Sequence, residues 1–480
     1  MGNDLKQQTK RSIVWNAFDK VGFQAIALLV GLITARCLTP NDFGLLGALA
    51  IFTALSNILV ESGFTSAMVR REKNTDAEYM AVFYFNLLLS LLIYGILFFS
   101  APFISSYFNM PELLWLSRLL FLAIVFNSVG IVQTIVLTKR MEFKVLSLSS
   151  LLSAGLAGVI TVVMIYLDFG YWALAAQILM QVGFKSLFLW LFSSWKPVRS
   201  VDARVIRELF CFSFSLIVSG VLVTVVRYVY NVVIGHNFQR QDLGYYSQAF
   251  KFHQIPSNVV SGTVSGVAYP VLSSLNQNEP MQLAYFRKLI RVTAFCIFPV
   301  MAGLFVAFDN LVSIILTDKW LPIVPYFRIL CVAAVLFPLH SMNVTLNTIK
   351  GFPKRSFAIE MARNVLVIVT LFFCLDSIVH MLVSFSLTYL AAYFISAFSV
   401  SRILPYGVMT QIKDIFPYAA ISALMALIMY FVPSLGLNLY VTALLQLCIG
   451  GSFYCLALYL LGSKVFEEVL EVRRKSELKV

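Results

Sequence analysis

Asp19 and Lys20 stand side by side in an otherwise apolar run of residues 13 to 36, the first of a small set of ionisable groups placed where water is scarce. A charge at the centre of a hydrocarbon layer costs roughly 2.5 to 3.5 kcal/mol on insertion scales, so such groups face a protein interior or a wet cavity and point to function. The other basic groups of this kind are Arg118, Lys185, Arg227, Arg328 and Arg363; the acids are Glu61, Glu360 and Asp309. Depth sorts the cations, at about 1.5 Å of helical rise per residue. Arg118 and Arg328 lie only ~8 Å inside the ends of their runs and reach the headgroups by snorkelling. Lys20, Lys185, Arg227 and Arg363 lie about 10 to 15 Å deep and are the candidate cavity cations. Surplus positive charge in a cavity selects an anion, and a phosphate or pyrophosphate suits Lys and Arg donors best.

The acids admit two readings. Neighbouring residues on a helix point about 100° apart, so Asp19 and Lys20 pair poorly with each other. Glu61, at similar depth on the next run, is a natural partner for Lys20 and would tie the first two helices together. If Asp19 or Glu61 instead stays unpaired, it is a candidate for cation or proton coupling. Glu360 and Arg363 stand at i and i+3 and either neutralise one another or leave Arg363 to the cavity.

Catalytic motifs are absent. The chain has no GxxxxGK[ST] phosphate loop and no HExxH, and its four histidines, His236, His253, His340 and His380, fall in separate segments. ATP hydrolysis, metal catalysis and a cofactor are therefore not expected, and the chain reads as a non-enzyme. The seven cysteines form no CxxC and read as small buried hydrophobes.

The elements that carry these groups follow from composition. Of 480 residues, 60% are apolar and 12% charged, and the mean hydropathy is +0.85. That marks an integral membrane protein. A span takes roughly 20 residues, which allows about fourteen helices. The runs are 13–36, 44–66, 80–100, 113–137, 145–167, 171–194, 209–235, 252–275, 288–316, 323–349, 356–375, 378–401, 415–432 and 439–462. They are apolar nearly all round rather than alternating, which excludes a β-barrel. No polar block of ~100 residues remains for an appended soluble domain. The eighth run carries Ser257, Ser261, Thr263 and Ser265, a pattern expected of a helix lining a polar cavity.

Loop charge sets the orientation. With the N-terminus inside, most of the 36 Lys and Arg fall in cytoplasmic segments, while Arg36, Arg240, Lys251 and Lys319 fall outside. Both termini are expected in the cytoplasm, in line with the positive-inside rule. An offset of about 200 residues relates Asn41-Asp42-Phe43-Gly44, with Ser62-Gly63 beyond it, to Gln241-Asp242-Leu243-Gly244, with Ser261-Gly262 beyond it. Six helices separate the copies, so the repeat is parallel. The expected organisation is an N-terminal lobe at 1–200, a C-terminal lobe at 201–403, and two further helices with a cytoplasmic tail at 404–480. The linker 195–208 is expected to hold a short interfacial helix, and the tail from Ser463 a surface-lying one.

Four segments carry a family resemblance: Leu38-Thr39-Pro40-Asn41-Asp42-Phe43-Gly44, Arg140-Met141-Glu142-Phe143, Gly244-Tyr245-Tyr246-Ser247-Gln248-Ala249 and Leu316-Thr317-Asp318-Lys319-Trp320. In this order they resemble the Wzx-type polysaccharide flippases, the WzxC/TuaB-like branch of the multidrug/oligosaccharidyl-lipid/polysaccharide exporter superfamily. The resemblance implies two six-helix bundles with alternating access in the bacterial inner membrane. It also implies a substrate, an undecaprenyl-pyrophosphate-linked oligosaccharide, with a polysaccharide polymerase and chain-length machinery as partners and no nucleic acid. The last two helices would shape a groove for the lipid tail. A drug/cation antiporter of the same superfamily should show surplus acid in its cavity, where this chain has surplus base. A glycan polymerase or ligase usually needs a large outside loop, and the longest here spans only residues 236 to 251.

Overall fold

The computed structural model describes residues 2–61, 64–71, 74–202, 204–463 and 465–468. Over the described residues each of the fourteen apolar runs is mainly helical, the second divided between two helices, and no strand forms. The helices are α1 (Gly2–Cys37), α2 (Pro40–Glu61), α3 (Phe64–Arg70), α4 (Asp76–Tyr107), α5 (Leu113–Lys139), α6 (Phe143–Tyr166), α7 (Tyr171–Phe192) and α8 (Arg204–Asn237), followed by α9 (Arg240–Ser274), α10 (Glu279–Ile315), α11 (Ile323–Ile349), α12 (Pro353–Phe372), α13 (Ile378–Ser401), α14 (Val408–Phe431) and α15 (Leu439–Leu460). This is the all-α membrane architecture that the composition demands. Among the described residues, 12 helices are long and apolar enough to span a bilayer. The long helices α9 and α12 fall outside that set for a chemical reason: α9 is rich in Ser and Gly, and α12 carries Lys354, Arg355, Glu360 and Arg363.

The chain divides into two compact units, Met1–Gly244 and Tyr245–Val480. In the first, α1 packs on α6, α6 on α7, α7 on α5 and α5 on α4. Small residues allow the close approach of α1 and α6, as is usual where lipid offers no competing hydrophobic drive. A Cβ on Gly158 would lie 2.5 Å from Val30, and one on Gly22 2.8 Å from Leu151. Between α5 and α7 the Trp190 indole donates to the Val129 carbonyl at 2.9 Å. Helix α8, placed by sequence in the second lobe, packs on α2, α3 and α4 and falls in the first unit. Among the described residues, the interfacial helix expected in the linker does not form separately. Val205 and Leu209 are buried as the first turns of α8, and residues 193–202 are irregular around a buried Trp195.

The second unit is built round Phe286, Ile290, Ala294, Leu346, Tyr393, Ala397 and Met425, contributed by α10, α11, α13 and α14. One ion cluster fixes α14 to α10: the nearly buried Asp414 carboxylate accepts from Arg287 at 2.9 Å, from Arg291 at 2.6 Å and from the Tyr406 hydroxyl at 2.8 Å. Val465 joins this core and Glu468 pairs with Lys288, so the tail begins docked on the second unit. Its remainder, with Val469 and Leu470, lies outside the described residues.

The repeat is visible in local structure. Asp42 accepts from the Thr39 backbone N–H at 2.8 Å, and Asp242 from that of Gln239 at 3.2 Å, so the two Asp residues cap α2 and α9 alike. Arg118 donates to the Phe98 carbonyl with its guanidinium 4.4 Å over that ring, and Arg328 does the same to Phe305 at 5.5 Å. Helices α5 and α11 end in the same turn, with Met141 at φ 58° and Gly351 at φ 84°. The next amide reaches back five residues in each, Glu142 to Leu137 and Phe352 to Asn347, both at 2.9 Å. Ser62 and Gly63 of the first copy lie outside the described residues.

Candidate functional site

A cavity of about 360 Å³ opens within the first unit, and Asp19, Lys20 and Lys185 line it together. Two helices aim these groups. Asp19 and Lys20 come from α1, and Lys185 from α7, one turn beyond Gln181 on the same face. Helix α2 adds Thr53 and Asn57, again one turn apart; α5 adds Asn127, and α6 adds Ser150 and Ser153. The walls between are apolar, formed by Phe23, Ala123, Ile124, Ile178 and Val182. Asn127 donates to Asn57 at 3.5 Å across the space.

Among the described residues, no ion pair neutralises these charges. The ion pairs formed among the described residues include neither Lys20 nor Lys185. One carboxylate oxygen of Asp19 is buried with no hydrogen-bond partner among the described residues. The side chain of Glu61, the sequence-derived partner of Lys20, lies outside the described residues. Two exposed ammonium groups and one acid therefore face a polar, apolar-walled space with a net positive balance. Amide and hydroxyl groups around it offer donors and acceptors of the kind that bind sugar hydroxyls.

The other sequence-derived cations lie elsewhere. Arg227 is exposed on α8 and does not line this cavity. Arg363 is buried in the second unit, where it binds Glu360 at 2.8 Å and Asn364 at 2.9 Å and stands 5.5 Å over the Tyr389 ring. Of the two readings of Glu360 and Arg363, local pairing is what the side chains adopt. Arg118 does not simply reach for headgroups: it stacks on Phe98 and Trp115. Arg328 bonds Asp309 at 3.0 Å. Sequence reasoning passed over Asn57, Asn127 and Gln181. The signal was present for Gln181, a polar residue one helical turn from a flagged lysine. Among the described residues no cluster of three or more His, Cys, Asp or Glu could hold a metal.

The model of a family described as "Polysaccharide biosynthesis protein" matches residues 33–325, more than half of the chain. The chain belongs to that family. Within the polysaccharide biosynthesis protein family it is similar to the teichuronic acid biosynthesis protein TuaB of Bacillus subtilis, at 21% identity with 72% of each chain covered. It is also similar to the succinoglycan biosynthesis transport protein ExoT of Rhizobium meliloti, at 26% identity over 65% of this chain and 63% of that one. In fold it matches the lipid II flippase MurJ, with a TM-score of 0.77, 15% identity, and 94% and 98% of the two chains covered. The resemblance read from the four sequence segments is thus borne out. Two of those segments touch: the Tyr245 hydroxyl donates to the Lys319 carbonyl at 3.2 Å, and the Tyr245 and Trp320 rings meet edge to face.

Proposed function

We propose that the protein is a flippase that carries undecaprenyl-pyrophosphate-linked oligosaccharide repeat units from the inner to the outer leaflet of the bacterial inner membrane, for synthesis of O antigen, capsule or exopolysaccharide. The observation that carries this reading is the convergence of Lys20 and Lys185 on one polar cavity within a chain of the polysaccharide biosynthesis protein family. The two ammonium groups hold the phosphates. Thr53, Asn57, Asn127, Gln181 and the α6 serines bond sugar hydroxyls, while Phe23 gives a ring an apolar face. The polyprenyl tail stays in lipid, with α14 and α15 shaping its groove, so the cavity holds only the head.

The reading is also supported by names: ExoT is named a transport protein, TuaB a biosynthesis protein and MurJ a lipid II flippase. Transport proceeds by alternating access, with both termini in the cytoplasm and no bond made or broken by the chain. A polysaccharide polymerase and chain-length machinery take up the product. Depletion tests the reading: the lipid-linked repeat unit should accumulate on the cytoplasmic leaflet. Unchanged leaflet distribution with normal surface polymer would overturn it.

A further inference from the structure

The second unit holds a set of polar side chains, from fully buried to half-buried, that the transport reading does not use. His340, on α11, is completely buried. Its Nδ1 lies 3.1 Å from the Ala392 carbonyl of α13, and its Nε2 lies 3.1 Å from one carboxylate oxygen of Glu360 on α12. The other Glu360 oxygen accepts from Arg363 at 2.8 Å.

Counting protons decides what this set contains. A carbonyl oxygen only accepts, so Nδ1 must carry a hydrogen. The contact between Nε2 and the carboxylate needs a second hydrogen, since two lone pairs at that distance repel. A neutral imidazole supplies one hydrogen and an ionised carboxylate supplies none. We propose that His340 and Glu360 form a proton-binding site, holding between them one proton more than a neutral imidazole and a free carboxylate carry. Arg363 donates to the other Glu360 oxygen, and the extra proton lies between Nε2 and the near oxygen, as an imidazolium held by a carboxylate and a carbonyl or as a carboxyl held by the ring. With the proton bound, His340, Glu360 and Arg363 carry one net positive charge; without it they carry none, and one of the two His340 ring contacts loses its hydrogen.

The neighbouring groups leave the site to itself. From α13, Tyr389 faces Arg363 through its ring. From α9, the Ser257 hydroxyl bonds the Ala334 carbonyl of α11, and the His253 ring packs on Phe250 and Phe385 with its Nδ1 bonded to the Phe250 carbonyl. On α10, Arg287 and Arg291 bind Asp414, Lys288 binds Glu468, and Asp309 binds Arg328. His380 of α13 binds Asp376.

The test is nitrogen NMR of the whole protein, labelled at histidine and held in lipid nanodiscs, with infrared spectra of the same samples. A chain with His236, His253 and His380 replaced by Gln leaves His340 as sole reporter. The site predicts a ring with both nitrogens protonated at neutral pH, or a protonated carboxyl band that Glu360→Gln removes. It also predicts that Glu360→Gln returns the ring to one proton, because the amide can donate to Nε2. A ring with a single proton and no protonated carboxyl in the otherwise unaltered protein would overturn the proposal. Neither readout depends on substrate, so loss of the flippase reading would leave this result standing.

Discussion

Gly44 and Gly244, two hundred positions apart in a repeated segment, each face the carbonyl that lies four residues before the other. A Cβ on Gly44 would stand 2.1 Å from the Arg240 carbonyl oxygen, and a Cβ on Gly244 would stand 1.9 Å from that of Pro40. The start of α2 and the start of α9 thus meet backbone to backbone, with reciprocal contacts. Arg240 reinforces the contact by donating to the Asn41 carbonyl at 2.8 Å. Because the obstacle is backbone rather than a flexible side chain, Gly44→Ala and Gly244→Ala should each destabilise by about 1 to 3 kcal/mol. The thermal midpoint of the purified protein measures this, and Gly95→Ala, where a Cβ meets open space, should leave it unchanged or slightly raised.

The same junction carries an ion pair between Arg240 and Glu112, at 2.8 Å. The Glu112 carboxyl titrates below its ordinary value, first because its own backbone N–H bonds it and then because Arg240 does. A carboxyl with a depressed folded-state value contributes stability that is complete above its ordinary value and disappears as pH falls through the lower one. The stability difference between the parent and Glu112→Gln should therefore be present at neutral pH and vanish on acidification below the ordinary carboxylate range. Denaturation midpoints across that range test the sign.

Arg363 sits at a buried junction, so its loss should act on folding before transport. Arg363→Ala removes the charged hydrogen bond that Arg363 gives the half-buried Glu360 carboxylate at 2.8 Å, a loss of about 1.5 to 3 kcal/mol. Lower yield and a lower thermal midpoint are expected, with Glu360→Gln in the same chain recovering part of the loss. A fully stable Arg363→Ala protein would contradict this assignment.

The turns after α5 and α11 differ in one residue that matters. Gly351, at φ 84°, needs no Cβ, whereas Met141 holds φ 58° with one. The left-handed conformation costs an L-residue about 1 to 2 kcal/mol. Gly351→Ala should lower stability by about that amount and Met141→Gly should raise it slightly, both read from the same thermal unfolding series.

The helices were legible because a lipid-facing segment must be apolar over its whole circumference, and that signal needs no knowledge of neighbours. α9 stood apart for its serines, and α12 for charges that only its packing explains. Lys20 and Lys185 were legible from depth alone. Their meeting in one cavity was not, because it depends on how α1 and α7 are rotated against α2, α5 and α6. The partners of Arg328 and Glu360 were hidden for the same reason: Asp309 and His340 are distant in sequence and adjacent only after packing. The linker misled because Val205 and Leu209 have the spacing of a short amphipathic helix, and a continuous α8 satisfies that spacing equally well.

The central claim is that Lys20 and Lys185 hold one anionic head during translocation, and the most direct measurement is the leaflet distribution of the lipid-linked repeat unit in cells carrying Lys20→Ala, Lys185→Ala or both. Each variant should reach the membrane at normal abundance, retain the unit on the cytoplasmic leaflet and lose surface polymer, with Lys20→Arg restoring part of the activity. Normal translocation in the double variant, at normal abundance, would contradict the account.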